Sequence, residues 1–146
     1  MAMHDIEQAK ALLRAGGHTC ALCRGGVTYT STARGIAPML ELISASTDLT
    51  GFSAADKVVG KAPAMLFALA RVRAVYAPVM TEAAIQTLTR YGIEASYDRI
   101  VPIIQNRAGT GRCPMDEAVS ALDDPGQALE AIRRKVQLLA AQPPHA

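Results

Sequence analysis

Hydrophobic and polar positions alternate along the chain with two different spacings, and these predict helices and strands in turn. In the segment HDIEQAKALLRAGG the apolar residues recur every three or four positions, which predicts an amphipathic helix that ends at the glycines. Its apolar face is formed by Ile6, Ala9, Leu12 and Leu13. The next segment, HTCALCRGGVTYTSTARG, contains two short strand-like runs around Gly25-Gly26, and this pattern is typical of a two-residue β-hairpin.

The middle of the chain continues this alternation. The segment IAPMLELISAS predicts a helix with Pro38 in its first turn, where a missing N–H costs little. TGFSAADKV predicts a strand that runs into a helix, and RVRAVYAPVM predicts a buried strand. TEAAIQTLTRYG then predicts a helix that Thr81 caps and Gly92 ends.

The C-terminal third is expected to contain one more strand, a loop and two helices. IEASYDRIVPII predicts the strand, and the helices begin at Pro114 and Pro125. Asp124 is expected to cap the last helix. The apolar stripe of that helix consists of Leu129, Ile132, Val136 and Leu139.

Strands interleaved with helices predict an α/β fold, and the early hairpin adds an antiparallel pair to a mixed sheet of about five strands. Neither an internal repeat nor a linker is visible in the sequence. We therefore expect a single domain over residues 1–146, with a frayed C-terminal tail from about residue 142.

Composition excludes several classes of protein. Half of the 146 residues are hydrophobic, which is enough for a substantial core. The net charge is +2, charged residues make up 19% of the chain, and tryptophan is absent, so nucleic-acid binding is not indicated.

The start of the chain, MAMHDIEQAK, lacks the basic and apolar regions of a signal peptide. The longest uncharged apolar stretch, residues 62–70, has nine residues, against the roughly 20 that a membrane-spanning helix needs. With three cysteines and no export signal, we expect a cytoplasmic protein with reduced thiols, no membrane partner and no cofactor.

One local group of residues has the spacing of a redox or metal site. Cys20 and Cys23 are separated by two residues, and His18 precedes them. In a strand, positions three apart face opposite sides, which favours two small apolar residues over a redox pair. Zinc needs three or four converging ligands, and convergence with Cys113 is not apparent from the sequence, so no metal is expected.

Two other runs carry candidate site residues, and the first is ADKVVGKA at 55–62. It lacks the first glycine and the Ser or Thr of a phosphate-binding P-loop. Asp56 is expected near the cap of a helix, with Lys57 and Lys61 on one face of it, at the strand end where α/β folds place ligands. Gly60 would allow close approach of a ligand, whereas Pro63 inside the helix could kink the turn that carries Lys61.

The second run is NRAGTGRCPMDE at 106–117. Its glycines allow backbone N–H groups to approach a ligand closely, and its arginines favour an anion. The expected ligand-binding residues are Asn106, Arg107, Gly109, Thr110, Gly111 and Arg112. Cys113 is expected at the cap of the helix that follows, where it could act as a nucleophile, but Asp116 and Glu117 in the first turn disfavour both a bound anion and a thiolate.

Together the two runs, with the segment between them, resemble an uncharacterised prokaryotic family of unknown function with a cytidine-deaminase-like fold. The resemblance extends from the first helix to about Leu138. It implies a three-layer α-β-α fold with a mixed five-stranded sheet. Zinc deaminases of that fold use His-x-Glu and Pro-Cys-x-x-Cys, and neither motif is present here, so a zinc-dependent deaminase is not expected.

We therefore expect a deaminase-like domain without catalytic zinc. It would bind a small anionic or nucleotide-like ligand in a pocket between the helix start at 55–62 and the loop at 106–113. One alternative is an enzyme that uses Cys113 as its nucleophile, with Lys57 or Asp56 in proton transfer. The other is a structural or regulatory homo-oligomer in which both runs form interfaces.

Overall fold

A computed structural model describes residues 2–106 and 108–141, apart from the side chains of residues 2 and 3. Within these residues the chain forms six helices and six strands. The strands are β1 Cys20–Arg24, β2 Val27–Ser31, β3 Ser53–Asp56, β4 Val58–Val59, β5 Ala74–Thr81 and β6 Glu94–Val101. The helices are α1 Ala2–Ala15, α2 Ala37–Ser44, α3 Lys61–Ala70, α4 Glu82–Arg90, α5 Pro114–Val119 and α6 Pro125–Ala141.

The six strands form one mixed sheet, as the sequence predicts. β1 pairs antiparallel with β2 and β3, whereas β5 pairs in parallel with β3, β4 and β6. β3 and β4 lie one after the other along the same edge of β5, because β6 occupies the other edge along its whole length. The six strands therefore occupy five positions across the sheet, whereas the sequence predicts about five strands in total.

Pro78 in β5 lies opposite the break between β3 and β4. The register of β6 runs from Ala77 beside Tyr97 to Val79 beside Arg99 and skips Pro78, and the register of β3 and β4 skips it as well. Proline has no N–H to donate, so β5 loses one ladder hydrogen bond on the side to which that N–H would point. The interruption separates Asp56, the last residue of β3, from Val58.

Side chains of the strands alternate between two separate cores. α1 covers one face, where Ala9 and Leu13 pack with Cys23, Ala55 and Tyr76. The larger core lies on the opposite face and is built mainly by α2, α3, α4 and α6. It receives the neighbouring strand residues Cys20, Leu22, Ala54, Val75 and Ala77.

Several local predictions are confirmed. The hairpin turns at Gly25-Gly26, with Arg24 paired to Val27. Thr81 caps α4 through its hydroxyl oxygen, which accepts from Ala84 N at 3.1 Å, and Asp124 accepts from Gln127 N at 2.9 Å at the start of α6. In α6, however, Leu139 is 38% exposed and does not join the apolar stripe. The predicted frayed tail from about residue 142 lies outside the described residues.

The start of α3 differs from the prediction. The helix begins at Lys61 with Gly60 as its N-cap, so Asp56 belongs to a strand and does not cap a helix. Lys57 lies between two strands and does not share a helix face with Lys61. Pro63 is the third helical residue, where the N–H has no acceptor within the helix, so the expected kink has no cause.

Candidate functional site

The two runs meet at the N-terminus of α3, through a contact that joins α5 to α3. Asp116 in α5 is buried, and its Oδ1 accepts a hydrogen bond from the backbone N–H of Ala62 at 2.9 Å. The first N–H groups of a helix have no partner within the helix, and a carboxylate there also complements the helix dipole. Asp116 therefore caps α3, although it belongs to the first turn of α5.

A cavity of about 210 Å³ opens beside this contact, and we call it the Lys61–Arg112 cavity. Its wall combines the start of α3, the start of α4, the segment 102–104 and α5. The polar side chains that line it are those of Lys61, Thr81, Gln86, Arg112, Asp116 and Ser120. Lys61 comes from the first run and Arg112 from the second, so the cavity brings together one predicted cation from each.

Positive charge exceeds negative charge in the Lys61–Arg112 cavity. Lys61 and Arg112 contribute two cations and Asp116 contributes one carboxylate, which leaves a surplus of one positive charge. The ammonium of Lys61 donates to the neutral carbonyl oxygen of Ser120 at 2.9 Å. Among the described residues, no carboxylate lies within 4.0 Å of the ammonium of Lys61 or the guanidinium of Arg112.

Asp116 is affected by opposing influences. Burial raises the pKa of its carboxyl group, and this influence exceeds the others. The backbone N–H groups of Ala62 and Lys61 and the charges of Arg112 and Lys61 act to lower that pKa. The net shift of this pKa is upward, so the Asp116 carboxylate takes up a proton at a higher pH than an ordinary aspartate. Its protonation would increase the positive charge of the cavity.

Most of the predicted loop residues bond to one another. Asn106 Oδ1 accepts from Thr110 N at 3.0 Å, and the Asn106 carbonyl oxygen accepts from Gly109 N at 3.0 Å. The Gly111 carbonyl oxygen accepts from Asn106 N at 2.8 Å. Gly109 has a φ of +71°, which glycine adopts without strain. The N–H groups of Gly109 and Thr110 are thus used to close the loop, and these residues do not line the Lys61–Arg112 cavity. Arg107 lies outside the described residues.

Cys113 is the N-cap of α5, as predicted, and is half-buried. Its backbone N–H donates to the Ile104 carbonyl oxygen at 2.7 Å, and its own carbonyl oxygen accepts from Glu117 N at 3.0 Å. Its sulfur makes no capping hydrogen bond, and the residue is not part of the wall of the Lys61–Arg112 cavity. The backbone of Cys113 therefore joins the loop to α5.

Asp56 and Lys57 lie away from the Lys61–Arg112 cavity. Lys57 is exposed, and its backbone N–H donates to Asp56 Oδ1 at 2.7 Å. Asp56 is buried, and this burial raises the pKa of its carboxyl group to about 7, against the opposing effect of the N–H groups of Lys57 and Val58. These two residues form a buried carboxyl and a surface cation at the interruption of the sheet, and not one wall of the predicted pocket.

The cysteines of β1 lie on opposite faces of the sheet, as predicted. Cys20 packs in the larger core and Cys23 packs against α1. Burial raises the pKa of both thiols, which disfavours the thiolate that redox chemistry requires. Among the residues that the structure describes, no group of three or more His, Cys, Asp or Glu side chains is placed to hold a metal ion.

Several residues of the cavity wall were not anticipated from the sequence. The sequence predicts Thr81 only as a helix cap, and it places Asp116 correctly in the first turn of α5 but does not predict its contact with α3. Gln86 and the segment 102–104 carry no motif. The one signal that could have located them is that Thr81 ends a parallel strand, at the edge of the sheet where α/β folds place ligands.

None of the helices in the described part of the chain is both long enough and apolar enough to cross a membrane.

A family model described as "TM1506: Domain of unknown function (DUF1893)" matches residues 8–136. The crystal structure of a DUF1893 family protein (TM1506) from Thermotoga maritima is similar to this chain, with a TM-score of 0.82 and 25% sequence identity over 90% of each chain. None of the curated proteins compared with the chain matches it.

Proposed function

Because the chain belongs to the DUF1893 family, whose function is unknown, we propose a function from its own geometry: it binds a small anionic ligand in the Lys61–Arg112 cavity. The observation that carries this proposal is the convergence of Lys61 and Arg112 on one cavity of about 210 Å³. These cations come from runs that are some 50 positions apart in sequence, which reflects the packing of α5 against α3.

The hydrogen bonding of the cavity supports an anion as the ligand. The ammonium of Lys61 bonds to a neutral carbonyl oxygen, and an anion would form a stronger, charge-assisted hydrogen bond with it. Arg112 is exposed and can reorient toward the same ligand. Asp116 already occupies the N-terminus of α3, so the ligand would bind to the two cationic side chains and not to that helix end.

We further propose that the fold is cytidine-deaminase-like and that the ligand is nucleotide-like. Support for the fold comes from the mixed sheet, whose parallel strands β3, β5 and β6 are joined through α3 and α4, with α1 on the opposite face. In this arrangement α3 starts Gly60-Lys61-Ala62 and α4 starts Thr81-Glu82-Ala83, and neither start carries His or Cys. We therefore propose a binding domain that lacks the zinc-activated water of the deaminases.

The buried Cys20 and Cys23 thiols are compatible with the proposed cytoplasmic location.

The proposal is tested by titrating inorganic phosphate into the full chain at constant ionic strength, using isothermal titration calorimetry. Replacing either cation, in Lys61→Ala or Arg112→Ala, removes a charge-assisted hydrogen bond of roughly 1.5–3 kcal/mol, so the dissociation constant should rise roughly 10-fold or more. Lys57→Ala is the matched control, because Lys57 is an exposed lysine of the same run outside the cavity wall.

Lys57→Ala should change the dissociation constant less than about twofold. Equal effects of Lys57→Ala and Lys61→Ala would contradict a defined site and indicate general attraction to surface charge. Light scattering on the same variants tests the oligomer alternative, since an interface at Lys57 would appear as a change in molecular mass and not in phosphate affinity.

A further inference from the structure

A second cavity, of about 120 Å³, adjoins the first between α3 and α4, and we call it the Met65–Tyr91 cavity. Its wall includes Lys61, Met65, Ala83, Gln86, Arg90 and Tyr91. Lys61, Ala83 and Gln86 belong to the walls of both cavities. The two cavities therefore meet at these three residues.

One face of α4 forms a continuous wall along both cavities. Ala83 and Thr87 are four positions apart, as are Gln86 and Arg90, and the two pairs are offset by three positions, which places all four residues on one side of the helix. Opposite them, the side chain of Lys61, which lines both cavities, reaches from α3 to the carbonyl oxygen of Ser120 at 2.9 Å. An anion that attracts this ammonium away from Ser120 would therefore bind where the two cavities meet.

The two ends of this cleft differ in how their arginine is paired. Among the described residues, no carboxylate lies within 4.0 Å of the guanidinium of Arg112 in the Lys61–Arg112 cavity. In the Met65–Tyr91 cavity the guanidinium of Arg90 lies 3.4 Å from the carboxylate of Asp123, so the two charges offset each other. Between the ends, the exposed side chain of Gln86 offers an uncharged amide that both donates and accepts hydrogen bonds.

We propose that the two cavities form one binding cleft, and that its ligand is a small organic anion with an uncharged, hydrogen-bonding arm. The anionic group, a phosphate or a carboxylate, lies between Lys61 and Arg112, and the arm lies along Met65 and bonds to Gln86. Gln86 is then the residue that determines specificity for the arm. This inference rests on the anion site proposed above and adds the chemistry of the rest of the ligand.

The test compares three kinds of probe by calorimetry. Inorganic phosphate and acetate carry the anionic group alone, glycerol 3-phosphate and glycerate add a polar arm, and butyl phosphate and butyrate add an apolar arm. For the unmodified protein, the polar-arm probe should bind about fivefold more tightly than the other two probes of its series. Whether the phosphate or the carboxylate series binds more tightly identifies the anionic group.

Gln86→Leu should abolish the advantage of the polar arm, so that the polar-arm probe binds this variant no more tightly than inorganic phosphate or acetate does. Thr89→Leu is the matched control on the same helix, since Thr89 is exposed and is not part of either cavity wall. It should keep the fivefold advantage, and circular dichroism would confirm that both variants are folded.

The titrations distinguish failure of the single cleft from failure of the anion site. If phosphate or acetate binds in a manner that depends on Lys61 and Arg112, but the polar arm gives no advantage or Gln86→Leu retains it, the single cleft is wrong and the anion site stands. If neither phosphate nor acetate binds the unmodified protein, the anion site is wrong and the single cleft is wrong with it.

Discussion

The carboxylate of Asp116 lies against Gly60, in the space that any side chain at position 60 would need. A Cβ at Gly60 would lie 1.9 Å from Asp116 Oδ2, far inside van der Waals contact. Gly60 has a φ of −96°, which any residue can adopt, so glycine is required here by the neighbouring carboxylate and not by the backbone. This contact joins the two runs and positions Lys61 beside α5.

Gly60→Ala should therefore destabilise the fold. The added methyl group must displace the carboxylate that caps α3, and both overpacking and the lost cap contribute, for a total of about 2 kcal/mol or more in the free energy of unfolding. Urea denaturation measures this loss. Gly26→Ala is the control, because a Cβ at Gly26 meets no atom within 4 Å, and an equal loss in both variants would contradict the steric explanation.

Asp116→Ala should cost about 1 kcal/mol of the free energy of unfolding through loss of the cap, whereas Asp116→Asn, which keeps an acceptor oxygen, should cost less. The double variant Gly60→Ala/Asp116→Ala should be more stable than the sum of the two single losses predicts, because the methyl group then has no carboxylate to displace. A double-mutant cycle by urea denaturation measures this coupling. Strictly additive losses would show that the two residues do not interact.

The raised pKa of Asp56 predicts how the free energy of unfolding changes with pH. Its folded-state pKa of about 7 lies above the ordinary value of 3.8, so the carboxyl group contributes stability that is fully present below about pH 4 and is lost as the pH rises through about 7. Asp56→Asn cannot ionise. The free energy of unfolding of this variant, relative to the unmodified protein, should thus increase from pH 4 to pH 8, by on the order of 4 kcal/mol at most.

Urea denaturation at half-unit steps between pH 4 and pH 8 gives this difference. Asp48→Asn is the contrasting control: Asp48 is exposed, and hydrogen bonds from Thr50 lower the pKa of its carboxyl group. Its contribution to stability is present above its ordinary pKa and lost as the pH falls, so the variant should not gain stability as the pH rises. Parallel curves for Asp56→Asn and the unmodified protein would refute the role assigned to Asp56.

Cys113→Ser should leave phosphate binding unchanged. Cys113 is not part of the wall of the Lys61–Arg112 cavity, and its two backbone hydrogen bonds do not depend on the side chain. The dissociation constant for phosphate, measured by calorimetry, should stay within about twofold of that of the unmodified protein. A larger loss of affinity would place the thiol at the ligand and revive the alternative in which Cys113 is a nucleophile.

The elements that could be predicted from sequence are those that depend on local spacing. Period-two alternation placed Cys20 and Cys23 on opposite faces of β1, and the Thr81 cap involves an N–H only three residues away. For the same reason the α/β alternation and the hairpin at Gly25-Gly26 were visible. Each depends on residues within one turn or one strand of one another.

The parts that could not be predicted depend on contacts between distant residues. Asp116 caps α3 from 54 residues away, so the start of that helix at Lys61 was placed four or five residues too early, near Asp56. The interruption opposite Pro78 ends β3 at Asp56, and it involves a neighbouring strand that local spacing does not reveal. Of the predicted site residues, Lys61 and Arg112 line one cavity because α5 packs on α3, a contact absent from any local pattern.

The most direct test of the central claim is to follow the backbone amide signals by NMR while inorganic phosphate is added. If the two runs meet at one anion site, the largest shifts should cluster at Lys61, Thr81, Gln86, Ile104 and Arg112, and they should saturate with a single dissociation constant. Shifts that are absent, or that centre on Lys57 or on the loop at Gly109 and Thr110, would contradict the site.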